Sequence, residues 1–159
     1  MFDSTIIPQE ILNMLELFRE IDEKATQAKA KKILQAYRRL CRIAGSEYTL
    51  RSASAFSDQP RSKNNQPSNG LETFVVKKLD AEREIAEIDN AISLLSSDVY
   101  KEILIRRFCK ARQCSNICIY MELDLSESEF YREQSKALLE FAEWYKAGEL
   151  LVFKPYVTG

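Results

Sequence analysis

Histidine is absent from this chain of 159 residues, and glycine and proline occur only four times each. Without imidazole the chain cannot build a His-based catalytic triad, a His-ligated metal site or a histidine pH switch. Few helix-breaking residues, with 45% hydrophobic and 30% charged residues, are typical of a small helical protein. We therefore predict an all-α fold. No phosphate loop or nucleophile–base pair is present, so we expect no enzyme, no cofactor and no small-molecule substrate.

Long apolar runs are also missing, and none approaches the roughly 18 residues needed to cross a bilayer. The chain has no apolar N-terminal signal stretch, so we expect a cytoplasmic protein without membrane contact, whose cysteines are reduced. Three cysteines lie close enough in sequence to suggest zinc, with Cys41 as a distant fourth ligand. Their spacings are not CxxC, which favours small buried thiols and no metal. These three are Cys109, Cys114 and Cys118.

The net charge of -1 conceals an uneven distribution. Residues 24–44 carry seven basic and no acidic residues, whereas 71–96 carry three basic and six acidic residues. A cationic stripe along the first segment would suit contact with nucleic-acid phosphates. Two other interpretations stay open: an ordinary solvated helix face, or pairing with the complementary acidic segment. The stripe consists of Lys24, Lys31, Arg38 and Arg42, with Arg39 beside it.

Apolar residues recur at helical spacing through 7–44, with a one-position shift near 22–24. This pattern predicts a basic N-terminal helical arm, 1–44, as one long helix with a stutter or as two helices. Gly45 is the expected helix end. Residues 45–70 are rich in Ser, Asn, Gln, Pro and Gly without an apolar period, which predicts a flexible polar linker.

A C-terminal helical domain is predicted over 71–159. Its first helix has apolar residues at heptad spacing from Leu71 to Leu95, with Lys78 the one polar member. Such a seam forms a domain core or pairs two copies in a coiled coil, so a homodimer is a candidate assembly. The apolar segment Leu150–Phe153 is expected to fold back onto the helices rather than pair into a sheet. The seam is Leu71, Phe74, Lys78, Ala81, Ile85, Ile88, Ile92 and Leu95.

A second helix of this domain is predicted over 98–109. The short polar side chains of Ser96–Asp98 are suited to capping its start. Helical spacing sorts its residues into a buried and an exposed face. The buried face is Val99, Ile103, Leu104 and Phe108, and the exposed face carries Lys101, Arg106 and Arg107.

The most informative segment is 114–147, where two amphipathic helices are separated only by Asp124, Leu125 and Ser126. So short a connection forces the helices to cross steeply, as in a helix-turn-helix that lays its second helix in the DNA major groove. Ser126 and Glu129 match a capping box, which fixes where the second helix begins. A plain helical bundle would show the same spacing, so both interpretations stay open. The inward positions are Ile119, Leu123, Leu125, Phe130, Ala137, Leu138 and Phe141.

Side chains on the outer face of the second helix are candidate contacts to double-stranded DNA. Arg132 could bind guanine or phosphate, Gln134 adenine, and Lys136 phosphate. Glu127 and Glu129 place negative charge on the surface that DNA would approach. We extend the set to two outward arginines before the motif and to the basic stripe. The full set is Ser126, Glu127, Ser128, Tyr131, Arg132, Gln134, Ser135 and Lys136, then Arg106 and Arg107, then Lys31, Arg38, Arg39 and Arg42.

The runs LDLSESEFYR, 123–132, and KALLEFA, 136–142, resemble the C-terminal region of the ArpU family of phage late transcriptional regulators. Relatives of sigma-factor region four share the general pattern. The likeness extends loosely through 71–95 and more closely through EILIRRF, 102–108. The resemblance implies a sequence-specific DNA-binding activator of phage or prophage late genes for packaging, morphogenesis and lysis. It would act in the bacterial host cytoplasm, with RNA polymerase as a candidate partner.

The turn departs from common helix-turn-helix sequences at two positions. Tyr120 follows Ile119 where a small residue is frequent, and Asp124 stands where Gly is frequent. Aspartate tolerates the left-handed backbone at a modest cost. The alternative function is a helical, oligomeric DNA-packaging protein such as a small terminase subunit. A ring of many subunits would favour that alternative, and a monomer or dimer would favour the regulator.

Overall fold

The computed structural model describes residues 7–45 and 69–155, and these form an all-α fold. The predicted linker, 45–70, lies outside the described residues except at its two ends. A π-helical turn, Ile105–Cys109, continues the fifth helix, and a 3-10 turn, Tyr145–Gly148, follows the last. The helices are α1 Gln9–Leu17, α2 Glu23–Gln35, α3 Tyr37–Gly45, α4 Asn69–Ser93, α5 Asp98–Leu104, α6 Asn116–Glu122 and α7 Glu127–Trp144.

The N-terminal segment is broken rather than continuous. After α1 the chain leaves the helix, and Asp22 caps α2 by accepting a hydrogen bond from the Ala25 amide at 3.1 Å. A second interruption at Ala36 separates α2 from α3, which ends at Gly45. A break is therefore confirmed, but it lies at 18–22, and the described part of the segment forms three helices rather than one or two.

Helices α2 and α3 belong to the same core as the C-terminal helices. Ala30 and Leu34 of α2 are fully buried, together with Ile88 of α4 and Phe141 of α7. Helix α2 packs on α7, and α3 packs along α4. The packed core thus takes residues from the predicted arm as well as from the predicted domain.

The basic segment packs against the acidic helix through apolar and neutral contacts. Tyr37 of α3 donates a hydrogen bond from its hydroxyl to Asp89 of α4 at 2.7 Å. Ile33, Tyr37 and Leu40 line the shared core. Across 7–45 and 69–155, no ion pair joins the cations of 24–44 to the carboxylates of α4. The charge complementarity in the sequence is therefore not what holds the two helices together.

The C-terminal tail pairs with the chain between α1 and α2. The Asp22 amide donates to the Val152 carbonyl at 2.7 Å, and Ile21 and Phe153 form an isolated antiparallel bridge. The Val152 amide donates to the hydroxyl of the buried Thr26 at 3.0 Å. Leu150 is buried on the helices as expected. The pairing is limited to this one isolated bridge, so the expectation that the tail folds back without forming a sheet is confirmed for the described residues. Residues 18–22 leave the helix, so their backbone groups need partners, and the tail supplies them.

The seam of α4 and the inward face of α5 follow the prediction with two exceptions. Ile103, Leu104 and Phe108 are buried as expected, but Val99 is 36% exposed because it lies in the first turn, beyond the reach of the core. Leu71, at the start of α4, is 43% exposed. The buried seam residues are Ala81, Ile88, Ile92 and Leu95.

The start of α5 is not capped as predicted. Ser97 occupies the cap position, but its side chain makes no capping hydrogen bond. Instead, the hydroxyl of Ser96 donates to the Glu140 carboxylate of α7 at 2.8 Å. The serines therefore tie the α4–α5 connection to α7. None of the helices within 7–45 and 69–155 has the length and apolarity that crossing a membrane requires.

The four cysteines are free thiols that differ in exposure. Cys41 and Cys118 are exposed, whereas Cys109 and Cys114 are half-buried. Burial raises the pKa of Cys109 to about 12, and the negative charge of Asp89 acts in the same direction. In the part of the chain that the structure describes, no three Cys, Asp or Glu side chains form a group that could hold a metal ion.

We expect Leu34→Ala to lower the free energy of unfolding by about 2–5 kcal/mol, because it opens a cavity in the core. Leu94→Ala is the matched control: Leu94 is 42% exposed, so its truncation should change the free energy by less than about 0.5 kcal/mol. Urea denaturation followed by circular dichroism measures both. Equal effects of the two substitutions would show that α2 contributes no core.

Alkylation should distinguish the cysteines, because only the thiolate reacts. A raised pKa keeps Cys109 protonated at neutral pH, so we expect it to react far more slowly than the exposed Cys41 and Cys118. Its rate should rise only as the pH approaches about 12 or as the protein unfolds. Timed alkylation followed by peptide mass spectrometry checks this, with the urea-unfolded chain as the control. Similar rates for all three thiols in the folded protein would contradict it.

Candidate nucleic-acid interface

The turn after α6 is closed by two backbone hydrogen bonds. The Leu125 amide donates to the Tyr120 carbonyl at 2.8 Å, and the Asp124 amide donates to the Met121 carbonyl at 3.3 Å. This pair of bonds is the Schellman arrangement, which requires a left-handed residue between the two helices. Asp124 supplies it with φ of 55°. The prediction that aspartate adopts the left-handed backbone here is confirmed.

The start of α7 is held by the predicted capping box. The Ser126 hydroxyl accepts from the Glu129 amide at 3.2 Å, and the Glu129 carboxylate accepts from the Ser126 amide at 3.2 Å. Two backbone amides that the helix leaves without partners are thereby satisfied. The Glu129 carboxylate is held against the Ser126 amide, and both Glu127 and Glu129 are exposed.

A small apolar cluster joins α5, α6 and α7. Ile103, Ile119 and Phe130 are fully buried in it, and Leu123 and Leu125 pack against them. Tyr120 also belongs to this cluster: its ring lies 5.8 Å from that of Phe130 between centroids. The tyrosine thus occupies the place of a small residue by packing on the aromatic ring of α7, which fixes how the two helices lie together.

Arg106 binds two carboxylates of the chain itself. Its Nε donates to Glu102 at 2.8 Å, and Nη1 pairs with Glu122 at the end of α6. The hydrogen bond to Glu102, followed by the charges of Glu102 and Glu122, raises the pKa of Arg106, while desolvation acts the other way. The predicted outward position is therefore wrong. The guanidinium is held by intrachain partners and connects α5 to α6.

Arg107 connects the π-helical turn to α6 and, through it, to α7. Its Nη1 donates to the Asn116 side-chain oxygen, and the Asn116 amide donates to the Tyr131 hydroxyl at 3.3 Å. The arginine is half-buried, so its predicted outward position is also wrong. Its guanidinium also lies over the Phe108 ring, 5.3 Å from the ring centroid.

The outer face of α7 exposes Ser128, Arg132 and Lys136. Within the described residues Arg132 makes no ion pair, and Lys136 has only a distant one to Glu133, at 3.9 Å. Tyr131 is 46% exposed at the flank of this face. Of the other predicted contacts in this helix pair, Ser126 and Glu127 are exposed and Ser135 is half-buried.

Gln134 does not lie on the outer face. It is 7% exposed, and it follows Phe130 and precedes Leu138 by four residues each. Residues four apart share one face of a helix, so Gln134 points inward with these two core residues. The prediction of an outward, adenine-reading glutamine is therefore wrong. The spacing of four residues from Phe130 and Leu138 already indicated that Gln134 points into the core.

Arg38 of the predicted basic stripe binds backbone carbonyls of the chain itself. Its Nε donates to the Lys110 carbonyl at 2.7 Å, and Nη2 donates to the Arg107 carbonyl at 2.8 Å. These carbonyls end the π-helical turn and have no helical partner of their own. The side chain is half-buried, and its predicted role as a free cation is wrong.

The other predicted cations of the arm differ in exposure. Lys31 is half-buried, whereas Arg39 and Arg42 are exposed on α3. With Lys77 of α4, these two arginines line a cavity of about 360 Å³ whose floor is apolar. No contact within the described residues connects this cavity to Arg132.

Two exposed cations beside the helix pair are absent from the predicted set. Lys110 and Arg112 lie in the connection between the π-helical turn and α6, and both are exposed. Asn116, which links Arg107 to Tyr131, is also new. The signal for the two cations is their position in the polar break directly before α6.

Two relatives, both named "Putative autolysin regulatory protein ArpU", align with most of the chain. The protein of Enterococcus hirae is 34% identical over 140 residues, which cover 88% of this chain and 100% of that protein. The protein of Streptococcus phage O1205 is 30% identical over 138 residues, which cover 86% and 98%. No family model matches the chain, and no solved structure matches it significantly. Because both alignments span nearly the whole of each protein, the chain belongs to the ArpU family.

Proposed function

We propose that this protein is a sequence-specific double-stranded DNA-binding regulator that activates phage or prophage late genes. The observation that carries the proposal is the helix pair α6–α7, whose tight turn and capping box hold the start of α7 in a fixed position. The names of both relatives describe regulatory proteins, and one relative comes from a phage. These names support regulation, and the geometry of the helix pair supports DNA as its target.

Helix α7 is suited to reading the major groove in a helix-turn-helix arrangement. Short and cationic side chains near its start would reach base edges, while α6 crosses the DNA backbone. Arg132 has no competing carboxylate within the described residues, so its fork is available for guanine or phosphate. Ser128 and Tyr131 would contact bases or phosphates, and Lys136, one turn on, would contact phosphate.

Because the net charge is close to zero, DNA binding would depend on where individual cations lie more than on the electrostatic field of the whole protein. A net charge of -1 gives little long-range attraction to DNA. The cations must therefore act locally, and exposed cations outside α7 include Arg39 and Arg42 on α3 and Lys110 and Arg112 before α6. Each cation that neutralises a phosphate would steepen the dependence of log affinity on log salt by about 0.9.

The first test compares α7 variants on two DNAs: the segment upstream of the protein's own neighbouring genes and a random sequence. Arg132→Ala should weaken binding to the specific segment about 10- to 100-fold and reduce discrimination, because it removes a base contact. Lys136→Ala should weaken binding to both DNAs and lower the salt slope by about one unit. Fluorescence anisotropy titrations at several salt concentrations measure both effects.

Arg83→Ala is the matched control, since Arg83 is exposed on α4 away from the helix pair and should leave binding unchanged. A double variant of Arg132 and Lys136 that binds as tightly as the parent would refute the proposal. Weak binding of the parent that is equal on both DNAs and vanishes with salt would favour the packaging protein instead.

The neighbours Arg38 and Arg39 provide a second test, because the structure gives them different partners. Arg38→Ala should lower the free energy of unfolding by about 1–3 kcal/mol, since two hydrogen bonds from a charged donor to the carbonyls of Arg107 and Lys110 are lost. Arg39→Ala should leave stability within about 0.5 kcal/mol and lower the salt slope of DNA binding by about 0.9. Urea denaturation and salt-dependent titration separate the two. If Arg39→Ala lowered stability and Arg38→Ala changed only the salt slope, the assignment of Arg38 to the fold and of Arg39 to DNA contact would be wrong.

A further inference from the structure

Helix α1 has no buried residue, although much of its surface is apolar. Met14 is 56% exposed, Leu15 52% and Phe18, directly after the helix, 79%. A helix of nine residues is too short to be stable alone in water, and apolarity of this extent needs cover. No element within 7–45 and 69–155 covers it.

Six apolar side chains of α1 and its flanks form one face, and Leu17, which is 82% exposed, lies outside it. At 100° per residue the six share one side of the helix, whereas Gln9, Asn13 and Glu16 lie on the other. A groove of about 750 Å³ runs beside α1, between Leu15 and Pro155 of the tail, and extends this surface. The face consists of Ile7, Ile11, Leu12, Met14, Leu15 and Phe18.

We propose that a second copy of this chain covers this face, so that two α1 helices pack antiparallel in a homodimer. The exposed fractions sum to about three full apolar side chains, on the order of 600 Å² per copy. Two copies would bury on the order of 1,200 Å², the lower limit for a stable specific interface. The area therefore fits a dimer that dissociates at low concentration.

The residue order of α1 is self-complementary, as a two-fold interface requires. An antiparallel pair centred between Met14 and Leu15 brings Ile11 of each copy against Phe18 of the other. The helix carries Glu10 and Glu16 but no lysine or arginine. That charge opposes binding to DNA or to an anionic membrane, which amphipathic helices contact through basic residues.

A competing surface lies on the first half of α4. Val75, Val76 and Leu79 are 44%, 55% and 48% exposed there. The heptad seam of the same helix is used in the core through Ile88 and Ile92, so it is not available for a coiled coil. The α4 surface is a further possible interface, and the test below distinguishes it from α1.

The test is sedimentation velocity of the full chain over a range of micromolar concentrations, without DNA. We expect the parent to reach twice the monomer mass of 18.4 kDa as concentration rises. Met14→Glu should weaken the dimer at least about 100-fold, because it places a charge in the apolar centre of the interface. Met121→Glu is the matched control, since Met121 is 67% exposed on α6 and should leave the dimer intact.

Three outcomes would overturn the inference. One is a parent that stays monomeric throughout, because another segment or another protein would then cover α1. Another is a dimer that survives Met14→Glu but is lost with Val76→Glu, which would assign the interface to α4. The third is a larger ring. Circular dichroism checks that each variant folds, and Ile11→Ser replaces Met14→Glu if that variant does not.

The dimer does not rest on the proposed function, because its assay contains no DNA. A dimer that binds no DNA would uphold this inference and refute the regulator. DNA binding by a monomer would do the reverse. If both hold, the dimer presents two α7 helices to two half-sites, and Met14→Glu should reduce affinity for a two-site DNA but leave affinity for a single half-site unchanged.

Discussion

The attachment of α3 to the end of the π-helical turn depends on the two hydrogen bonds that Arg38 donates to the carbonyls of Arg107 and Lys110. At this end the backbone would otherwise leave acceptors without donors. From the same turn, the Arg107 side chain reaches Asn116, and Asn116 reaches Tyr131. A chain of polar contacts therefore runs from the basic segment to α7. The position of the proposed DNA-reading helix is set partly by a residue that sequence patterning assigns to a phosphate stripe.

This arrangement divides the arginines by function. Arg38, Arg106 and Arg107 bind carbonyls, carboxylates and an amide of the chain itself, and all three are half-buried. Arg132 and Arg39 remain exposed, without an ion pair among the residues described. Charge counting cannot make this division, because all five are the same residue type at helical positions. What decides it is which acceptors lie within reach: carbonyls at the end of the π-helical turn for Arg38, carboxylates for Arg106 and a side-chain amide for Arg107.

Features determined by a few adjacent residues follow from the sequence, and features determined by packing follow only in part. The capping box of Ser126 and Glu129 and the left-handed Asp124 are predictable because every atom involved lies in one short segment. Periodicity also identifies Phe130 and Phe141 as core residues. It fails for Val99, where the core does not extend to the first turn of α5. Gln134 is different: the spacing does predict its burial, but its polar chemistry suggests a base contact.

The C-terminal tail shows a second limit of prediction from sequence. The apolar segment 150–153 has β-prone residues, but whether it pairs depends on a partner more than a hundred residues away in sequence. That partner exists because the chain leaves the helix between α1 and α2, where Asp22 and Glu20 offer free backbone groups. Local preference specifies that the tail can extend. The break in the N-terminal segment determines where it pairs, and no pattern within the tail contains that information.

The apolar residues of this chain are arranged in three separate groups, and their different surroundings imply different roles. The main core holds α2, α4 and α7 together, and the smaller cluster around Phe130 fixes α6 on α7. The face of α1 is apolar to a similar degree but is covered by nothing within the described residues. A protein with a net charge of -1 and only two basic residues on α7, Arg132 and Lys136, would bind DNA weakly as a single copy. Pairing two copies through α1 would double the α7 contacts to DNA, which connects the uncovered face of α1 to the small number of cations on α7.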